Sequence, residues 1–503
     1  MAMTPSLLRL VIVLFVALGS LTYGYCASII ATTLGQPSFI SYFDLDTRSN
    51  AADLIGAING LFQAGGLFGA LSCTKSADWL GRRKSILVTS IITVIGGALQ
   101  AGSVDIGMYI AMRFITGFGI GALVTLVPLY QSEISPPRIR GWLVGMHGVL
   151  ICVGYAMASW VGLGFYFVNA SGAQWRLPLA IQCLPPLLLS AGVLFLPESP
   201  RWLLDHDRVE DAYKSFKAVR AEATDTSDLD NEASIKADFN LLQGQIMHER
   251  LEVISLMDLW RKPSMRKRCA IGWLTMFGAQ GTATLVINNY GPSLYASLGF
   301  DTVQTLLIQC GWITVCPFGN LINAWVVDRV GRTRLLMFGF AGCVIALIGE
   351  CITVDVFQRT GQRGAASAAV FFLFLHIAFF SVSCDATSYI YAAEIFPTPV
   401  RAKGLAVSVS GLFIATIIFL QCAPKAFATI GWKYYIVFIV ITTVIFAVIW
   451  FWFPETKGRS LEDIGELFGD SVEPVQLDDE ARDKKMLADT VEDLNIHEDM
   501  QKH

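Results

Sequence analysis

Apolar runs of about twenty residues alternate with short polar links along most of this 503-residue chain. Runs of that length cross a bilayer as helices. They predict spans at 7–33, 52–73, 84–103, 108–130, 141–166 and 176–196, followed by a polar stretch from Glu198 to Arg268. Six more follow at 269–290, 302–327, 334–354, 366–391, 402–424 and 432–453. The predicted fold class is an all-α membrane protein with 12 transmembrane helices. The first run is too long for a signal peptide and only Arg9 precedes its core, so it reads as a retained span.

The polar links repeat. DWLGRR (Asp78–Arg83) recurs as DRVGRT (Asp328–Thr333), EISPPRIRG (Glu133–Gly141) as EIFPTPVRAKG (Glu394–Gly404), and PESPRWL (Pro197–Leu203) as PETKGRS (Pro454–Ser460). These copies follow spans 2 and 8, 4 and 10, and 6 and 12, which predicts two six-helix halves of one orientation, a parallel repeat. The organisation that follows is an N-terminal half at 1–197, a cytoplasmic central helical linker at 198–268, a C-terminal half at 269–453 and an acidic cytoplasmic tail at 454–503. In the linker, Val209, Ala212, Tyr213 and Phe216 recur at helical spacing.

Charge orients the spans. Lys75, Arg82, Arg83, Lys84, Arg138, Arg140, Arg329, Arg332, Arg334, Arg401 and Lys403 fall on one side, which the positive-inside rule makes cytoplasmic, together with both termini. The N-A-S sequon at Asn169–Ser171 then lies in an outside loop, a candidate glycosylation site. Each repeated unit sets acids and bases at helix ends, giving a candidate cytoplasmic gate. Its members are Asp78, Arg82, Glu133, Arg140, Glu198 and Arg201 in one half, with Asp328, Arg332, Glu394, Arg401 and Glu455 in the other. Such pairs are expected to break when the halves rock apart.

Composition narrows the chemistry. The chain is 54% hydrophobic and 16% charged, with mean hydropathy +0.53, whereas a soluble domain carries roughly 25% charged residues. Six His and eleven Cys show no metal-ligand spacing, and the Cys read as small core residues. Gly117–Gly121 lacks the strand and spacing of a dinucleotide loop, so its glycines predict close helix packing. No nucleophile–base pair is evident, so neither an enzyme, a metal nor a cofactor is expected. The expected partners are the lipid bilayer and a small polar solute, with protons left open and no nucleic acid.

Polar residues inside the spans point to a cavity. A carboxylate at such depth costs about 2.5–3.5 kcal/mol on insertion scales, yet Asp385 lies within span 10. Ser381, Asp385 and Tyr389 are spaced to share one helical face, as are Gln280, Thr284 and Asn288 on span 7. Asn320 and Asn323 lie one turn apart on span 8.

Taken together, RFITGFGIGALVTLVPLYQSEISPPRIRG (Arg113–Gly141), PESPRWL, DRVGRTR, AAEIFPTPVRAKG and PETKGRS resemble the sugar porter branch of the major facilitator superfamily, in a fungal-like style, up to about residue 465. That resemblance implies the major facilitator fold and a plasma-membrane carrier that moves a sugar or related small polar solute by alternating access. It implies substrate positions at Gln280 and at Tyr389, where the family has Trp, while His147 is followed by Gly148 rather than the usual Gln. Ala279, Leu285 and Cys316 stand where further family amides are expected, which argues against ordinary glucose recognition. Cys26 occupies the place of the acid that proton-coupled members carry, although Arg113 is retained. Facilitated diffusion and proton coupling through Asp385 and Arg113 both stay open. So do an exporter of a small secondary metabolite and a non-transporting nutrient sensor.

Overall fold

The structure is a computed structural model that describes Ile12 and residues 15–134, 140–168, 170, 172–220, 228–251, 260–397, 400–459 and 461–469. Helices occupy each predicted span. In the first half they are Leu18–Leu34, Ala51–Leu80, Arg82–Ala101, Ile106–Ile134, Arg140–Tyr166 and the segmented Ala173–Phe195. In the second half they are Pro263–Ser297, Thr302–Val330, Arg332–Thr360, Arg363–Glu394, Arg401–Ile430 and Tyr434–Trp452. We number them spans 1 to 12. Chain contacts gather Met1–Gly458 into one unit, so Pro454–Gly458 belongs with the spans. The second unit, Arg459–His503, contains the helix Leu461–Leu467 among its described residues.

Small residues let the backbones approach. A Cβ on Gly117 would lie 2.1 Å from the Phe62 carbonyl oxygen, and one on Gly121 2.1 Å from that of Gly66. Spans 2 and 4 therefore pack at glycine distance, as the sequence predicts. The linker forms Pro200–Asp205, Val209–Arg220 and Asp228–Leu251. Trp202, Ala212, Phe216, Ile235 and Phe239 share a small core there, and Trp202 Nε1 donates to the Asp78 carbonyl at 2.7 Å. This ties the linker to the last turn of span 2.

Two spans depart from regular helix, and both departures correct the shared-face readings. Span 7 breaks after Gln280, with Ala283 at φ +72°, before resuming at Thr284. The i, i+4, i+8 alignment of Gln280, Thr284 and Asn288 does not survive that break. In span 10, Phe380–Cys384 is a π turn, which advances the register by a residue. Ser381 is consequently buried against span 8, where a Cβ on Gly319 would sit within 2 Å of its hydroxyl.

Candidate functional site

Asp385 begins the helix that follows the π turn, and its carboxylate meets both halves. Asn320 of span 8 donates to Asp385 Oδ2 at 2.7 Å, and the Cys152 thiol of span 5 approaches the same oxygen at 3.7 Å. The Asn320 amide also reaches Cys152 Sγ at 3.1 Å and the Cys316 carbonyl at 3.2 Å. Tyr23, Tyr155 and Tyr389 lie within Coulombic range of the carboxylate. Hydrogen bonds offset the burial cost of a carboxylate only in part, and Asp385 is no more than half-buried, with Tyr389 37% exposed.

Both side chains keep solvent-accessible surface. At the end away from the arginine-rich loops, span 1 packs against the second part of span 7, where a Cβ on Gly35 would lie 3.1 Å from both Pro292 and Leu306. Ser28 Oγ donates to Asn288 Oδ1 at 3.4 Å, and Asn59 Nδ2 to the Tyr290 hydroxyl at 2.9 Å, both across the halves. At the arginine-rich end, span 4 and the inner part of span 10 form no packed interface among the described residues.

Around the break in span 7, His376 Nε2 pairs with the Thr282 carbonyl at 2.7 Å and the Thr282 and Thr284 hydroxyls pair at 2.8 Å. The His376 contact satisfies a backbone carbonyl that no longer continues a helix. Gln280 Oε1 and Asn288 Nδ2 are buried without a protein partner. Such groups invite a solute hydroxyl or water. His147, half-buried, pairs with Ser20 Oγ at 2.6 Å between spans 5 and 1. Asn323 instead secures the π turn, donating to the Val382 carbonyl at 2.9 Å and to Thr387 Oγ1 at 3.0 Å.

The loop motifs form two matching networks. Arg82 contacts Glu133 at 2.9 Å and Asp78 at 3.4 Å, while Glu198 Oε1 accepts from the amides of Arg82 and Arg83 at 3.0 and 3.1 Å. In the second half Arg332 contacts Glu394 and Asp328, each at 2.8 Å, and Glu455 accepts from the amides of Arg332 and Thr333 at 2.9 and 3.1 Å. Each Glu thus occupies the N-terminus of a span, where free amides and the helix dipole favour an anion. The hydrogen bonds hold Glu455 below the ordinary carboxylate range even though burial pushes the other way. Gly81 and Gly331 have φ +84° and +108°, and a Cβ there would meet Glu198 and Glu455 at 2.6 and 2.7 Å. The repeated glycine is required on both counts.

These pairs join elements within one half, not across the two. Arg82 and Glu133 lie in the N-terminal half, and Arg332 and Glu394 in the C-terminal half. Arg401 Nε donates to the Phe396 carbonyl at 3.4 Å, and burial lowers its pKa against the opposing pull of Glu394. Arg201 lies on the helix Pro200–Asp205. The Arg140 side chain and Asn169 lie outside the described residues.

With this geometry in place, comparison with known proteins identifies the lineage. The family model described as sugar (and other) transporter matches residues 12–468. The chain belongs to that family. The MFS-type transporter criB of Aspergillus cristatus is 34% identical, over 89% of this chain and 90% of that protein. The quinate permease of Neurospora africana is 30% identical over 88% and 86%. The proton:xylose symporter XylE bound to 6-bromo-6-deoxy-D-glucose shares the fold with a TM-score of 0.74 and 22% identity, covering 92% of this chain and 99% of that one. The protein is a multi-pass membrane carrier of a small solute, not an enzyme.

In this sugar-transporter chain the Arg113 guanidinium is fully buried, donating to the Cys26 carbonyl at 3.0 Å and lying 3.8 Å over the Phe62 ring. Its Nε and Nη2 have no partner. Sequence reasoning missed Tyr23 and Tyr155, because single aromatics in apolar runs carry no signal. It also missed Glu350, buried in span 9 with Oε2 unpartnered beside Tyr295 and Tyr435. A lone Glu in the run 334–354 was the available signal.

Proposed function

We propose that this carrier moves a neutral polyhydroxylated ring solute, a sugar or polyol, across the plasma membrane by facilitated diffusion, with both termini cytoplasmic. The observation that carries the reading is the Asp385 carboxylate, held by Asn320, approached by Cys152 of the other half, and accompanied by exposed Tyr389. A carboxylate accepts hydroxyl hydrogen bonds, which are among the stronger neutral–charged pairs, and repels an anionic solute. Tyr389 supplies a ring face for stacking, while Gln280, Thr284, Asn288 and His147 supply neutral partners. The relative that is a quinate permease transports an acid; the carboxylate here favours neutral members of the same ring-shaped class. Facilitated diffusion rests on Arg113, which meets the Cys26 carbonyl and the Phe62 ring. Labelled xylose, glucose, inositol and quinate offered to carrier-deficient cells test the reading. Uptake of a neutral compound that a protonophore leaves unchanged supports it; quinate uptake alone, or collapse with the protonophore, overturns it.

A further inference from the structure

The thiols of Cys152 and Cys316 and the Asp385 carboxylate place one ligand atom each within 4.8 Å of the others. Both cysteines are nearly fully buried, and they come from opposite halves of the molecule, spans 5 and 8. The Asn320 NH2 group sits among these atoms, 2.7 Å from Asp385 Oδ2 and 3.1 Å from Cys152 Sγ. A partially positive amide edge therefore occupies the place a cation would take.

We propose that this cluster is an inhibitory site for a thiophilic divalent cation of the Zn²⁺ or Cd²⁺ class. Two sulfurs and one carboxylate oxygen are a donor set for d¹⁰ cations, which bind thiolate at about 2.3 Å and carboxylate at about 2.0–2.2 Å in a tetrahedron. Around one ion the two sulfurs would stand about 3.8 Å apart, so the present spacing needs only a modest contraction. Rotation of the Asn320 amide exchanges its NH2 edge for Oδ1 and supplies a fourth ligand. The thiol protons leave to cavity water, which reaches the cluster past half-buried Asp385 and exposed Tyr389. Because the ligands come from both halves, the bound ion fixes the angle between them and arrests alternating access. The proposal rests on the geometry of the cluster and not on which solute is carried.

The test uses the full chain with exposed Cys422 replaced by Ser throughout, so that it does not capture the metal. Purified protein is titrated with CdCl2 while its melting temperature is followed, and uptake is measured in parallel with and without EDTA. Cadmium should raise the melting temperature and block uptake reversibly. Cys152→Ser and Cys316→Ser should each raise the half-effective concentration more than about tenfold, since even outer-shell losses cost 10–100-fold in metal affinity. If either variant fails to transport, the melting shift decides. Equal cadmium responses in the parent and the Cys152→Ser/Cys316→Ser double variant overturn the proposal. So does a parent protein that cadmium neither stabilises nor inhibits.

Discussion

The two loop networks share a design but differ in how dry they are, and this sets a quantitative expectation. The Arg82 and Glu133 side chains are 8% and 6% exposed, whereas those of Arg332 and Glu394 are 11% and 31% exposed. Removing one partner of a buried pair strands the other charge at a cost of about 3–5 kcal/mol. Where water reaches the carboxylate, the stranded charge is resolvated and the loss falls toward about 1–2 kcal/mol. Glu133→Gln should therefore lower the melting temperature of the detergent-solubilised carrier more than Glu394→Gln does. The partly exposed contact of Arg82 with Asp78 does not rescue it, because the Asp78 side chain is 78% exposed. Thermal unfolding followed by tryptophan fluorescence, on both variants in one detergent, measures the order. Equal shifts, or a larger shift for Glu394→Gln, would refute the link between dryness and cost.

Three further expectations are independent of that order. Gly331→Ala puts a Cβ on a residue at φ +108° and 2.7 Å from Glu455, so it should destabilise by roughly 1–3 kcal/mol; a melting temperature equal to that of the parent contradicts the role given to this glycine. Because Glu455 has a lowered pKa, its contribution is present above the unfolded value near 4.5 and is lost as pH falls through the lower folded value. The melting-temperature gap between the parent and Glu455→Gln should thus hold at neutral pH and close as pH falls below 4.5; a gap that stays constant into strong acid speaks against it. Gln280→Ala and Asn288→Ala should each weaken solute affinity by roughly 1–3 kcal/mol if their unpartnered atoms bind the solute, and unchanged affinity in both moves the site elsewhere.

Hydropathy located the spans because a bilayer imposes length and apolarity on each helix separately. The repeated motifs were legible for a similar reason, since Gly81 and Gly331 meet the same local demand twice. The faces of spans 7 and 10 were not. A shared face assumes uninterrupted 3.6-residue periodicity, and neither the break at Ala283 nor the π turn at Phe380–Cys384 announces itself by a proline. Both are secured from other spans, by His376 and Asn323, which a single-segment reading does not include. Asp385 stood out because a carboxylate in an apolar run is costly. The pairing of Cys152 with Cys316 did not, because buried cysteine is ordinary and only tertiary packing brings these two together. The charged loop residues were legible from their repeated spacing, but which of them pair is a property of the fold.

The central claim is that the solute is held at Asp385. The most direct measurement compares solute affinity in the parent and in Asp385→Asn, which keeps the side-chain size but removes the charge. Loss of a charge-assisted hydrogen bond of about 1.5–3 kcal/mol corresponds to a roughly ten- to hundredfold weaker affinity for the neutral solute at unchanged surface expression. An Asp385→Asn carrier that binds the solute as tightly as the parent contradicts the account.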